Sequence, residues 1–350
     1  MSTSLLPSAA PNAWFNVAQW TKEAGGFAPW RVTPELVATA RNPHFTNRVR
    51  AAAGVRAEVI TGARELLIDL VCANPQAQER LTVDVVFEGN LIERFVLDQQ
   101  SSAAKRARLH RVSLPGRPGR LEVWLPHESG VILNELHLRG ESDWQEVPAR
   151  PRWLTYGSSI THCIEAAGPS QTWPALVARN LGLELYGLGL AAQCHLDYAI
   201  ERTIAQEDLD FLSLCLGINI YGRGSFDERS LPGAVHGFIA RSQQAHPNIP
   251  IVVISPLASP PAEETKNSAG LTLAHIREIV RDVAQKFPSK TVTYLDGRQI
   301  ISDAEVGEQL RSDRLHPHAE GYRYMARKLT PQLAAAFGRA GAQTALEVSQ

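Results

Sequence analysis

The chain has 350 residues, of which 44% are hydrophobic and 20% are charged, and its formal net charge is −1. This length accommodates two domains with separate cores. The near-neutral charge gives no reason to expect a nucleic-acid partner, and no segment approaches the ~18 consecutive apolar residues of a membrane span.

Residues 1–147 are predicted to form an all-β domain of the sandwich or jelly-roll type. Short runs alternate apolar and polar residues at the period of a half-buried strand, and turn signals such as Gly89-Asn90 separate them. The basic residues of 105–111 also alternate with apolar ones, which favours the solvated face of a strand over a nucleic-acid contact. The other predicted strand runs lie at 65–71, 81–87, 91–97, 121–125 and 136–138.

A proline-bracketed segment, Val147-Pro148-Ala149-Arg150-Pro151, interrupts the β pattern. Proline disfavours the helical region for the residue before it, so this segment is interpreted as a stiff linker. The predicted domains are therefore 1–147 and 148–340, followed by a tail at 341–350.

The second domain alternates strand and helix patterns, which predicts a three-layer α/β/α fold around a parallel sheet. Ligands of such sheets bind at the carboxyl ends of the strands, where Ser159, Asn219 and Asp296 are expected to lie. The predicted strands are 152–156, 184–188, 211–216, 251–255 and 291–295. The predicted helices are 173–181, 196–205, 234–246, 273–287 and 322–329.

Ser159 lies in the segment Gly157-Ser158-Ser159-Ile160-Thr161, directly after a predicted buried strand. A serine at a strand tip can act as a nucleophile, although the same position is common for helix caps and turns. The segment is not the G-x-S-x-G elbow of the α/β-hydrolases, because its fifth residue is threonine.

A carboxylate and an imidazole follow the last predicted strand, in Asp313-Arg314-Leu315-His316-Pro317. Asp313 can bind Nδ1 of His316 and leave Nε2 free to accept a serine proton, which is the arrangement that acyl transfer requires. Pro317 is expected to fit the first turn of the next helix. Asn219 follows a buried strand, where it can serve as an oxyanion donor or simply as a turn residue.

Together these residues resemble the SGNH (GDSL-type) hydrolase family over about residues 152–335. The resemblance implies that Ser159 is the nucleophile, His316 the base and Asp313 its partner. It also implies an oxyanion hole formed by the Ser159 N–H, Asn219 and one further backbone N–H, with no cofactor. The implied activity is that of a serine esterase acting through a covalent acyl-enzyme on short-chain, small-molecule or carbohydrate esters.

Three positions depart from the family pattern. Ser158 replaces the usual aspartate and is a remote alternative nucleophile, and Ile220 stands where a second aspartate is common. The glycine that usually supplies a backbone donor aligns with Ala192, which can fill that role if its φ is negative. Gly189 is the second candidate for this donor.

Two features of the sequence argue against a metal site. The pairs His162-Cys163 and Cys194-His195 lack conventional ligand spacing, so they are expected to line the substrate pocket. The four cysteines, which include Cys72 and Cys215, show no CxxC spacing and are expected to be reduced thiols.

The N-terminus lacks the pattern of a secretory signal, which leads us to expect a cytoplasmic protein.

The N-terminal region resembles the sandwich domains that precede the catalytic domain in some SGNH esterases, including carbohydrate esterases. Trp124 and Trp144 are candidates either for a sugar platform or for buried structural aromatics. Two alternative functions remain open. The protein can be an acyltransferase that passes the acyl group to a small-metabolite or sugar alcohol, or a catalytically silent carbohydrate-binding protein. A metal-dependent hydrolase is a third alternative.

Overall fold

The computed structural model describes residues 2–72, 81–97, 105–140 and 143–347, without the side chains of 105–108 and 339–347. The chain divides into two compact units. The first is Met1–Arg150 with Gly168–Ser170, and the second is Pro151–Ala167 with Gln171–Gln350. The division falls within the predicted proline-bracketed linker.

The first unit is an antiparallel sandwich, as predicted. One sheet has the strand order β3-β4-β11-β6-β9 with β1 paired to β11, and the other has the order β12-β5-β10-β7-β8 with β2 paired to β5. Its strands are β1 (Ser2–Ser4), β2 (Trp14–Phe15), β3 (Gln19–Glu23), β4 (Gly26–Trp30), β5 (Arg56–Thr61), β6 (Glu65–Cys72), β7 (Thr82–Phe87), β8 (Asn90–Val96), β9 (Lys105–Ser113), β10 (Gly119–Trp124), β11 (Val131–Arg139) and β12 (Trp144–Gln145).

The alternating runs of the sequence form the core between these sheets. Leu66 and Ile68 of β6 and Val83 and Val85 of β7 belong to one buried cluster. Side chains two residues apart lie on the same face of a strand, so each run buries one face. Trp124 is buried and its indole N–H donates to Glu122, which makes it a structural residue and not an exposed sugar platform.

Two helices in this unit, α1 (Pro34–Ala40) and α2 (Pro43–Arg50), were not among the predicted elements. The side chain of Asn42 accepts from the backbone N–H groups of His44 and Phe45 and so caps α2. Asparagine followed by proline is a recognised helix-start signal, so the sequence carried the information for α2.

The second unit has a five-stranded parallel sheet in the order β14-β13-β15-β16-β17, as the fold prediction requires. Its strands are β13 (Arg152–Gly157), β14 (Glu184–Gly189), β15 (Phe211–Cys215), β16 (Ile251–Ile254) and β17 (Val292–Leu295). Its helices are α3 (Ser159–His162), α4 (Trp173–Leu181), α5 (Tyr198–Gln206), α6 (Ile218–Arg223), α7 (Leu231–Ala245), α8 (Pro260–Glu263), α9 (Leu273–Ala284), α10 (Val306–Gln309) and α11 (Ala319–Glu347).

This strand order has its topological switch at β13, which pairs with β14 on one side and β15 on the other. Such a point opens a crevice at the carboxyl ends of the strands, because the connections leave the sheet in opposite directions. Ser159 follows β13, Ala192 follows β14 and Asn219 follows β15, so the fold brings three predicted site segments to this crevice.

The segment before α11 differs from its prediction. Pro317 forms an isolated bridge with Leu310 and precedes the helix by two residues, so the expectation that it occupies the first helical turn is wrong. His318 instead caps the helix start, with Nδ1 accepting from the N–H of Gly321 at 3.2 Å. The predicted tail begins within α11, and 348–350 lie outside the described residues.

Among the described residues, no helix combines the length and apolar character needed to cross a membrane.

Candidate active site

Two adjacent serines at the end of β13 have different surroundings. Ser158 is buried and its hydroxyl accepts from the N–H of Ile160 at 3.2 Å, which caps the short helix α3. Ser159 is the first residue of that helix, and its Oγ lies 2.8 Å from Nε2 of His316. The tight strand-to-helix turn therefore directs Ser158 into the structure and Ser159 toward the imidazole.

The imidazole of His316 is held from its other side by a carboxylate. Asp313 Oδ2 lies 2.8 Å from Nδ1 of His316. A carboxylate only accepts when ionised, so Nδ1 carries the proton and Nε2 is free to accept the Ser159 hydroxyl. Asp313 Oδ1 also accepts the backbone N–H groups of Leu315 and His316, both at 3.0 Å, so one side chain orders the whole turn.

The hydrogen bonds around Asp313 keep it ionised. Partial burial raises the pKa of its carboxyl, but the backbone N–H and the imidazole of His316, with the N–H of Leu315, outweigh this effect and leave the pKa below its ordinary value. A carboxylate in this state can stabilise a positive charge on the neighbouring imidazole.

Asn219 has a defined amide orientation in the first turn of α6. Its Oδ1 accepts the backbone N–H of Cys194 at 3.1 Å, and among the described residues no acceptor takes its Nδ2–H groups. Gly217 makes the turn before α6 with a φ of +122°, a conformation that residues with a side chain rarely adopt. The strand end therefore presents an available amide donor.

Ala192 has a φ of +59°, so the condition of a negative φ, set above for an alanine in this role, is not met. The N–H is nevertheless present, because an alanine can adopt the left-handed region at a cost in energy. Its backbone N–H has no acceptor among the described residues, whereas the neighbouring Ala191 N–H binds Nδ1 of His162 at 3.4 Å. The N–H of Ser159 is likewise without an acceptor in the part of the chain that the structure describes. Three unpaired donors therefore lie on the three segments that meet at the crevice.

Gly189 has a different explanation. A Cβ at this position would lie 2.3 Å from the backbone nitrogen of His162 and 2.5 Å from its Cα. Glycine thus allows β14 to approach α3, the helix that begins at Ser159. This close approach explains the glycine without a role as an oxyanion donor.

Comparison with known proteins identifies the second unit. Residues 155–324 match the GDSL-like lipase/acylhydrolase family. This segment is a GDSL-like lipase/acylhydrolase domain. It contains Ser159, Asn219, Asp313 and His316, and the match supports an enzyme that is an acyl-ester hydrolase or acyltransferase.

The likeness to solved structures extends over both units of the chain. The salicylyl-acyltransferase SsfX3 from a tetracycline biosynthetic pathway is 28% identical, with a TM-score of 0.83, over 96% of this chain and 97% of its own. A family two carbohydrate esterase from Clostridium thermocellum is 14% identical, with a TM-score of 0.63, over 93% of this chain and 99% of its own.

An acetyl xylan esterase from the rumen bacterium Butyrivibrio proteoclasticus is 14% identical, with a TM-score of 0.60, over 97% of this chain and 99% of its own. At this identity, the two esterases show a shared two-domain fold. A search of curated proteins gave no match.

The cysteines of the GDSL-like domain are unsuited to nucleophilic attack. Cys163 and Cys194 are buried, and burial raises the pKa of both thiols well above the ordinary range. Burial also raises the pKa of Cys215, to about 11. Since the thiolate is the reactive form, these residues are inert at neutral pH. Among the described residues, no group of three or more His, Cys, Asp or Glu side chains is placed to hold a metal ion.

A small apolar cavity of about 30 Å³ adjoins the residues on either side of Ser159. A cavity of this size holds roughly two water-sized groups. Its walls come from α3, the ends of β15 and β16, and α11. The lining residues are Ser158, Ile160, Thr161, Trp173, Cys215, Leu216, Ile218, Ile254, Ser255, Pro256, Leu257, Ile300, Met325 and Leu329.

Sequence reasoning missed the contacts that support the Asp313 turn. Ser259 Oγ donates to the carbonyl oxygen of Arg314 at 3.0 Å, and Arg314 has a φ of +54°. Arg311 pairs with Glu165 at 2.6 Å, which links the turn to the loop after α3. None of these residues forms a motif, because each contact joins segments that are distant in the sequence.

Proposed function

We propose that this protein is a serine esterase that acts through a covalent acyl-enzyme on Ser159. The proposal rests chiefly on one observation, the continuous hydrogen-bond chain from Ser159 Oγ through His316 to Asp313, with both links at 2.8 Å. A nucleophile, its base and a group that orients the base form the constellation that serine acyl transfer uses.

In the proposed first step, His316 Nε2 accepts the Ser159 hydroxyl proton while Oγ bonds to the ester carbonyl carbon. The electron pair of the carbonyl bond moves to oxygen, where the unpaired donors of Ser159, Ala192 and Asn219 stabilise the negative charge. Asp313 remains a carboxylate and stabilises the imidazolium. The C–O bond then breaks, and the Nε2–H of His316 protonates the leaving alcohol.

In the second step, water attacks the acyl-enzyme and gives its proton to His316. The tetrahedral intermediate collapses, the free acid leaves, and the proton returns to Ser159 Oγ. Apart from the ester and water, every group in this cycle is a residue of the chain. We propose short acyl groups on a small-molecule or carbohydrate ester, in line with the acetyl xylan esterase and the carbohydrate esterase whose fold this chain shares.

The decisive experiment measures hydrolysis of p-nitrophenyl acetate by the wild type, Ser159→Ala and Ser158→Ala. We expect Ser159→Ala to lower kcat by about 10³-fold or more, as loss of a nucleophile does. Ser158→Ala is the matched control, because it removes a neighbouring hydroxyl that caps α3 and faces away from His316; it should retain most of the turnover. Full activity of Ser159→Ala would overturn the proposal.

A second candidate function is acyl transfer to an alcohol. It is favoured by the 28% identity with a salicylyl-acyltransferase over 96% of this chain. Both reactions share the acyl-enzyme and differ only in whether water or an alcohol resolves it. Measuring free acetate against p-nitrophenol with and without an added phenolic or sugar alcohol separates them. An acyltransferase would release less acetate than p-nitrophenol when the acceptor is present, whereas a hydrolase would release equal amounts.

A further inference from the structure

His195 lies in the 190–196 loop between β14 and α5, and both of its ring nitrogens have partners. Nε2 lies 3.1 Å from the carbonyl oxygen of Ala192, and Nδ1 lies 2.8 Å from Oγ of Ser225. A carbonyl oxygen only accepts, so Nε2 carries the proton and Nδ1 accepts from the Ser225 hydroxyl. Unlike His316, this imidazole has no free nitrogen to offer a substrate.

These two contacts join the segments that carry two of the proposed oxyanion donors. Ala192 supplies a backbone N–H from the loop, and Ser225 follows α6, which carries Asn219. The Cys194 N–H to Asn219 bond, at 3.1 Å, makes a second link between the same segments. The Ala192 and Asn219 donors are therefore held relative to each other by the backbone N–H of Cys194 and the imidazole of His195, two consecutive residues of one loop.

The conformation of Ala192 needs such support. Its φ of +59° is in the left-handed region, which costs a residue with a side chain on the order of 1 kcal/mol. The His195 bond to the Ala192 carbonyl closes a four-residue turn and holds the peptide that follows Ala192 in place. Without it, Ala192 can relax to a negative φ, and rotation about N–Cα would shift the surrounding peptides.

We propose that His195 is a positioning residue of the oxyanion hole, acting through the Ala192 carbonyl and the Ser225 hydroxyl. This inference rests on the proposed serine esterase function. His195 does not touch the reacting atoms. Its effect is to preorganise donors at the place where negative charge develops, so it should influence the transition state much more than substrate binding.

The test compares His195→Phe, His195→Gln and His195→Asn in p-nitrophenyl acetate hydrolysis. Phenylalanine keeps a ring but removes both contacts, glutamine places a donor near the Nε2 position, and asparagine places a polar group near the Nδ1 position. We expect His195→Phe to lower kcat on the order of 10- to 100-fold with little change in KM. His195→Gln should recover most of this loss, and His195→Asn should not.

Ser225→Ala provides an independent variant, since it removes one partner without changing the imidazole; we expect a smaller loss of kcat. His275→Phe on α9 is the matched control and should match the wild type. Wild-type kcat in His195→Phe, or equal losses in the Phe and Gln variants, would overturn the inference. The proposed function fails separately, if Ser159→Ala remains active in the same assay.

Discussion

The backbone N–H of Cys194 donates to Oδ1 of Asn219 at 3.1 Å and thereby fixes which end of the amide is available. The two residues follow different strands, β14 and β15, so the contact spans the switch point of the sheet. It leaves Nδ2 as the group that can donate to a substrate oxygen. The proposed role of Asn219 as an oxyanion donor thus depends on the backbone of Cys194, which orients the amide.

Asn219→Asp tests this orientation. Aspartate can still accept from Cys194, but its second oxygen places negative charge where the oxyanion would form. We expect kcat/KM for p-nitrophenyl acetate to fall by about 10²–10³-fold or more, as for loss of an oxyanion donor. The same change at the exposed Asn180 of α4 is the control and should leave activity intact. Wild-type activity in Asn219→Asp would exclude the amide from the oxyanion hole.

Asp313→Asn tests the tautomer of His316. The asparagine oxygen can keep the bonds to the Leu315 and His316 N–H groups, which places its NH2 group against Nδ1. Nδ1 must then accept, the proton moves to Nε2, and the imidazole can no longer take the serine proton. A wrong tautomer costs about 10⁴-fold in kcat in the serine protease triad. We expect a fall of this order at pH 7, and none in the surface control Asp303→Asn; a loss of only a few fold would argue against Asp313 as the orienting group.

The order of strands and helices could be predicted from the sequence because apolar residues are spaced differently in the two kinds of element, every second residue in a half-buried strand and every third or fourth residue in a helix. The second-unit strands therefore fall within a residue or two of their predicted limits. The contact between Asp313 and His316 could also be predicted, because both residues lie in one short turn. Such local patterns can be recognised without knowledge of the tertiary structure.

The loop from 190 to 196 could not be predicted in this way. Ala192 and Leu196 both have positive φ without being glycine, so no local signal marks the turn. Their conformations depend on distant partners: His195 itself bonds Ser225, and the Leu196 N–H donates to the Tyr156 hydroxyl at 3.2 Å. Only the packed sheet brings these groups together, so the sign of the Ala192 φ could not be read from the sequence.

Gly189→Ala should disturb the site through the backbone. The added Cβ would lie within 2.6 Å of backbone atoms of α3, which cannot move aside like the end of a flexible side chain. We expect a loss of about 1–3 kcal/mol in the free energy of unfolding, together with lower kcat, since α3 begins at Ser159. Gly233→Ala is the control: it lies in α7 with open space around it and should stabilise the protein by about 0.5–1 kcal/mol. Equal stability of both variants in urea unfolding would contradict the proposed close packing.

The first unit contains a buried ion cluster centred on Glu58. This carboxylate is fully buried and accepts from Arg56, from Arg120 at 2.6 Å and from Arg150 at 2.6 Å. Burial raises the pKa of Glu58, but the charges of Arg56, Arg150 and Arg120 outweigh it and hold the pKa at about 2. Arg150 ends the first continuous segment of this unit, directly before Pro151. The cluster therefore also fixes the position at which the chain leaves this unit.

Glu58→Gln should destabilise the first unit by about 3–5 kcal/mol at pH 7, because three partly or fully buried guanidinium groups lose their shared anion.

The native pKa of Glu58 is about 2, against an ordinary value of 4.5, so its ionised form favours the folded state. That stabilisation is fully present above about pH 4.5 and is lost as the pH falls toward 2. The protection factors of the β5 amides, which compare observed with intrinsic exchange and so report local opening at each pH, should therefore fall across this range in the wild type and depend less on pH in Glu58→Gln. Glu65→Gln, at a partly exposed ion pair, is the control and should cost under about 1 kcal/mol. If the two variants lost equal stability at pH 7, the arginines would not depend on Glu58 for their burial.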